Sequence, residues 1–242
     1  LPEFLEKLKS TFILNFIEGN RWRYLWVGLG NTLRITLAAL ILGILLGAII
    51  AVVRASWDKN SEEMRPGLSR GLLRFFNGFF KLYLTVFRGT PVVVQLMILY
   101  YIVFVSSNNG VFIASLAFGL NSAAYVAEIF RSGIMSIDNG QFEAGRSLGF
   151  NYVQTMWHII LPQAVKNVLP ALGNEFITLL KETSVAGYIS VQDLTKGGDI
   201  IRGRTYSAFM PLIAVALIYL IMVMFLEKLM TILEQKLRNS DH

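Results

Sequence analysis

The sequence predicts an all-α integral membrane protein with five transmembrane helices, and three observations carry that prediction. Only 16% of the 242 residues are charged and 54% are hydrophobic, with a mean hydropathy of +0.54. Soluble proteins of this size carry about 25% charged residues. The charges that remain collect in gaps between long apolar runs. Two of those runs, 35–53 and 89–127, hold nineteen and thirty-nine residues without a charge. At about 1.5 Å rise per residue and a hydrocarbon core of about 30 Å, the first fits one span and the second two.

The expected spans are about 24–53, 90–105, 111–131, 165–182 and 205–228, within one domain covering 1–242. The first is ITLAALILGILLGAIIAVV, extended outward by YLWVGLGNTLR. Gly43 and Gly47, four apart, share one face and suit close helix packing. Arg54 to Gly71 reads as a solvated loop. In RGLLRFFNGFFKLYLTVFR the polar residues Arg70, Arg74, Asn77, Lys81, Thr85 and Arg88 form one stripe at helical spacing. That helix either lies in the interface with its basic face toward lipid headgroups, or joins the bundle with its polar side inward. SSNNG at 106–110 divides the second and third spans. The fourth, NVLPALGNEFITLL, is interrupted by Glu175. TYSAFMPLIAVALIYLIMVMFL is the fifth, bent at its start by Pro211, and EKLMTILEQKLRNSDH forms an amphipathic cytoplasmic cap.

Loop 54–88 carries seven basic residues against three acidic, loop 106–110 none, and 182–204 is nearly balanced. The positive-inside rule then puts 54–88, 132–163 and the C-terminus in the cytoplasm and the N-terminus outside. It also accounts for the net charge of +6 without nucleic acid. The first twenty residues mix acids and bases and do not read as a signal peptide. With no cysteine and two histidines, disulfides are excluded and a protein-built zinc site is disfavoured. The same scarcity argues against an enzyme, as there is no convincing nucleophile–base arrangement. No GxxxxGK[ST] motif occurs, so ATP binding is not expected of this chain.

One polar stretch stands among these apolar runs, QFEAGRSLGFNYVQTMWHIILP at 141–162. Asp138 followed by Gln141 fits a capping box, and Gly149 is placed to end that helix. Asn151 with Gln154 repeats the start signal, and Pro162 would stop or redirect the second helix. The reading is helix, turn, helix, returned to the membrane, as a docking element or a plain structural hairpin.

Glu143, Ala144, Gly145, Gly149, Ile159, Leu161 and Pro162 fall on the pattern of the EAA loop, departing only in Gly145 where alanine is expected. The chain thereby resembles the membrane-spanning permease subunits of bacterial ATP-binding-cassette importers. FRGTPVVVQL, NSAAYVAEIFRSGI, LPQA, LPALGN and LLKETS, in that order, resemble the branch that takes up polar amino acids. The likeness covers most of residues 24–234. Gly145 loosens the helix by up to ~1 kcal/mol without removing a charged contact.

The resemblance implies a permease subunit, not itself an enzyme, that carries a polar L-amino acid across the bacterial plasma membrane. It implies a cytoplasmic coupling loop at 135–162 seated on a separate ATPase. It also implies two ATPase subunits holding ATP and Mg, an extracytoplasmic binding protein, and pairing as a homodimer or with a related permease. No cofactor is implied on the chain itself. Gly149 would permit the sharp exit, and Glu143 would pair with a basic or amide group of the ATPase. Its alternatives are a solvated helix charge or an internal pair with Arg146. Glu175, Asn174 and Asn121 are the substrate-path candidates, because polar groups in a span are costly; helix-to-helix hydrogen bonding is the alternative reading. A structural ion pair is expected between Arg88 and Glu128. Lys181, ending the fourth span, snorkels to the interface or pairs with Glu182. Competing accounts are the same architecture for a sulfur-containing amino acid or an opine, an ion-gradient transporter, and a membrane anchor. The gradient transporter predicts inverted repeats, which the sequence does not display.

Overall fold

The computed structural model describes residues 2–61 and 64–239; Glu62 and Glu63, two of the three acids counted in loop 54–88, lie outside it. All regular structure among the described residues is helical: α1 (Pro2–Phe12), α2 (Trp22–Asn60), α3 (Leu68–Gly89), α4 (Val92–Ile98), α5 (Gly110–Met135), α6 (Asn139–Ser147), α7 (Tyr152–Thr155), α8 (Leu161–Glu182), α9 (Leu194–Thr205) and α10 (Phe209–Asn239). Residues 22–59, 110–135 and 209–236 are long and apolar enough to cross a membrane. α3 with the α4 segment, bent by 108° between Gly89 and Val92, is a fourth such unit. α8 is long enough at 22 residues, but Lys166, Glu175 and Lys181 lower its hydropathy.

The chain divides into two compact units, one of residues 1–39, 92–118 and 177–228, the other of 40–91, 119–176 and 229–242. In the first, Phe16, Leu25, Leu194, Ile201 and Val215 form a core between the start of α2, α9 and α10. Gly28 lies against the backbone of Asp193, and Gly197 against the carbonyl of Tyr24, so α2 and α9 meet backbone to backbone. Thr32 Oγ1 accepts from Leu194 N at 3.0 Å, and Asn31 donates to Gln192 O at 2.9 Å. Such direct approach is possible only where neither glycine carries a Cβ. Pro211 sits in the first turn of α10, where no helical N–H bond is lost.

Asp193 N-caps α9, its Oδ1 accepting from Lys196 N at 2.8 Å while its Oδ2 is buried without a partner. Burial pushes its carboxyl from the ordinary 3.8 up to about 6. The folded chain therefore holds this proton more tightly than the unfolded chain. Stability is highest below the ordinary value and falls as pH rises to about 6. The expected loss is up to about 3 kcal/mol. Thermal unfolding at pH 5 and pH 7.5 checks this, and Asp193→Asn, which keeps the cap acceptor, is expected to flatten the difference.

In the second unit, Gly43 and Gly47 face α5 as expected: a Cβ there would lie 2.9 Å from Ser122 Oγ and 2.7 Å from Val126 Cγ1. Ile50, Leu84, Ala124 and Ala127 pack beside them. From the polar stripe of α3, Asn77 accepts from Arg54 of α2 at 3.4 Å and Arg88 lies over the Tyr125 ring of α5. Leu72, Phe75, Phe79, Leu82 and Val86 are left exposed on the far face. Only Asn77 and Arg88 of the stripe thus meet residues of α2 and α5 among the described residues, and Arg74, Lys81, Thr85 and Arg88 are themselves exposed.

Candidate functional site

The polar stretch folds as a helical hairpin within the second unit. Asp138 caps α6, but by accepting from Gly140 N at 2.6 Å; the side chain of Gln141 instead receives a bond from Gln163 at 3.2 Å. The expected capping box is therefore absent there. At the other end, Phe150 N donates to Gly145 O (3.0 Å) and Gly149 N to Arg146 O (2.9 Å), with Gly149 at φ +81°. Those two bonds and a left-handed glycine make a Schellman stop, the sharp exit expected of Gly149. Asn151 and Gln154 complete a reciprocal capping box at the start of α7.

The second helix does not stop at Pro162. α7 runs through a π-helical turn, Met156–Ile160, directly into α8. Leu161 N bonds back to Met156 O across that turn, and Pro162 stands exposed as the second residue of α8. The wider turn takes up the place where proline supplies no N–H, so the helix passes through rather than breaking.

Gly145 is a packing position. It is buried, and a Cβ on it would lie 2.6 Å from both Cγ2 and Oγ1 of Thr155. Gly145→Ala is expected to cost about 1–2 kcal/mol, overpacking outweighing the helix propensity gained. On a Thr155→Ala background the same change is expected to be neutral or stabilising. A double-mutant cycle of thermal unfolding checks this; equal costs on both backgrounds would contradict it.

Around this turn the hairpin presents an uneven surface. Glu143 and Ala144 are exposed, and the Glu143 carboxylate has no ion pair or hydrogen bond among the described residues. Arg146 does not pair with it. Beside them Leu148, Val153 and Trp157 stand about 70% exposed. The sequence reading missed these three. Val153 and Trp157 share a helix face at i, i+4, which is the signal that could have found them.

The substrate-path candidates separate. Asn121 is buried, and its amide donates to Phe87 O at 3.1 Å, supplying a partner to a carbonyl at the end of α3. Tyr83 donates to Leu120 O beside it. Glu175 is half-buried and accepts from Ser122 Oγ at 2.7 Å. Asn174 is exposed, on one face of α8 with Asn167, Thr178 and Lys181, all exposed. Thr178 was not singled out from the sequence. The spacing 167, 174, 178, 181 is that of a single helical stripe.

The Arg88–Glu128 ion pair does not form. Glu128 is taken by Arg131, three residues along α5, at 2.5 and 3.2 Å, and Arg131 also reaches Asp58 at 3.3 Å. Arg88 stacks on Tyr125 instead, with its guanidinium carbon 5.5 Å from the ring centre. A neighbour on the same helix face meets Glu128 at lower conformational cost than one on another helix.

Residues 66–239 match the sequence profile of the family described as binding-protein-dependent transport system inner membrane component. An arginine transport system permease protein of Bacillus subtilis is 37% identical over 88% of this chain and 92% of its own. The crystal structure of an amino acid ABC transporter with histidines superposes at TM-score 0.78 and 36% identity, over 96% of this chain and 98% of that one. An inward-facing methionine ABC transporter matches in fold at TM-score 0.70 and 21% identity, over 88% and 96%. The chain is a multi-pass membrane protein belonging to the binding-protein-dependent transport system inner membrane components.

Proposed function

We propose that the chain is the permease subunit of an ATP-driven importer carrying a polar L-amino acid across the inner membrane. It does no hydrolysis. Two copies, or one copy with a related permease, enclose the path; separate ATPase subunits bind ATP and Mg; an extracytoplasmic binding protein delivers the substrate. The hairpin surface carries this reading. An exposed carboxylate, Glu143, on the same hairpin as exposed Leu148, Val153 and Trp157 has the make-up of a protein interface, apolar groups with a charge that awaits a partner. That patch is the coupling loop of residues 135–162, with Glu143, Ala144, Gly145, Gly149 and Pro162 in the EAA positions.

α8 serves as the fourth of five spans in chain order. Its stripe of Asn167, Asn174, Thr178 and Lys181 is too polar for lipid and faces water or the paired permease. Glu175 and Asn174 meet the substrate from this helix, while Asn121 holds the bend of α3 in place. The arginine and histidine named for relatives favour a polar amino acid, with another small solute such as an opine as the alternative. The N-terminus lies outside and the C-terminus in the cytoplasm.

The chain has no cysteine, so single replacements report on topology without background. Glu143→Cys is expected to react with an impermeant maleimide only from the cytoplasm and to cross-link to the ATPase. Tyr188→Cys, exposed in the first unit, is expected to react only from outside. Labelling of both from one side would overturn the topology.

A further inference from the structure

Within the second unit, α2, α3 and α5 enclose a cleft of about 450 Å³ lined by Arg54, Lys81, Thr85, Arg88, Tyr125 and Glu128. Three cations converge there. Its one carboxylate is already spent, since Glu128 is held by Arg131. Arg54, Lys81 and Arg88 have no acidic partner within 4 Å among the described residues. Among the described residues Arg54 reaches the Asn77 amide oxygen alone, and its Nε is buried without a partner. Like charges gathered in one cleft repel one another, and a buried donor left unmet adds to the cost. Such a cleft suits an anion.

Its position says which one. Arg54 follows directly on the uncharged run 35–53, so the cleft lies where hydrocarbon gives way to headgroups. The far face of α3 is exposed and apolar through Phe75, Phe79, Leu82 and Val86, a surface for acyl chains. Basic pockets between spans on the cytoplasmic side suit lipid phosphates. We propose that this cleft binds the phosphate of an anionic phospholipid, with Arg54, Lys81 and Arg88 donating to its oxygens. A transported amino acid offers one carboxylate and an ammonium, which matches three cations poorly. The proposal rests on the membrane orientation given above.

The test is native mass spectrometry of the purified permease–ATPase complex, titrated with phosphatidylglycerol against phosphatidylcholine. One phosphatidylglycerol is expected to be retained per permease copy in preference to phosphatidylcholine. Lys81→Gln is expected to weaken retention about fivefold, and Arg54→Gln/Lys81→Gln/Arg88→Gln together on the order of 100-fold. Lys7→Gln/Lys9→Gln/Arg23→Gln, which removes equal charge elsewhere, is expected to change nothing. Lys81 is exposed and makes no ion pair among the described residues, so its variant folds and decides the matter if the triple variant does not. Absence of a preference for phosphatidylglycerol, or equal loss in the control, would overturn the site. Displacement by millimolar inorganic phosphate would assign it to a soluble anion, and displacement by free amino acids to substrate; either overturns the lipid. This readout needs no ATP and no uptake, so its failure is separable from failure of the importer reading.

Discussion

Glu143→Ala is expected to abolish ATP-driven uptake while leaving the chain folded and inserted. The carboxylate is exposed and has no partner among the described residues, so its loss costs the fold no more than about 0.5 kcal/mol. Loss of one partner from a buried, hydrogen-bonded charge pair at an interface costs about 2–5 kcal/mol. The lower bound corresponds to about a 30-fold weaker ATPase contact. Uptake, ATPase co-purification and thermal unfolding, measured together, separate the two effects. A fall in stability with the ATPase still bound would make Glu143 a structural residue of α6. Trp157→Ala, which strips the largest exposed apolar group from the same surface, is expected to act in the same direction.

Glu175→Gln is expected to lower uptake about 10- to 100-fold, the worth of one charge-assisted contact. The comparison that gives this meaning is Ser122→Ala. Ser122 Oγ donates to Glu175 at 2.7 Å, and a glutamine amide oxygen accepts that bond equally well. If the charge meets substrate, Glu175→Gln removes function and Ser122→Ala largely keeps it. If the residue only ties α5 to α8, the order reverses. Uptake at several substrate concentrations for both variants distinguishes these cases.

The long helices were legible because nothing but lipid or a protein core tolerates nineteen residues without charge. The hairpin was legible from its turn chemistry, since Gly149, Asn151 and Gln154 act within a few residues of one another. What escaped depends on distant partners. The stripe on α3 looks the same whichever way the helix is laid, and spacing does not reveal Asn77 beside Arg54 or Arg88 over Tyr125. Gly145 read as a loosened helix because spacing does not reveal Thr155 packed against it. α9 went unseen as a helix, although Asp193 caps it, because its burial comes from Gly28 and Thr32 some 160 residues earlier. Arg88 and Glu128 paired well on paper because a sequence cannot rank a neighbour on another helix against Arg131.

The account turns on ATP coupling, and uptake into liposomes measures it directly. The complete transporter, with its ATPase subunits and binding protein, would be reconstituted and given radiolabelled amino acids. The account predicts uptake of one or a few polar amino acids only with ATP on the ATPase side, unaffected by collapsing ion gradients. Uptake driven by an imposed ion gradient without ATP would contradict it.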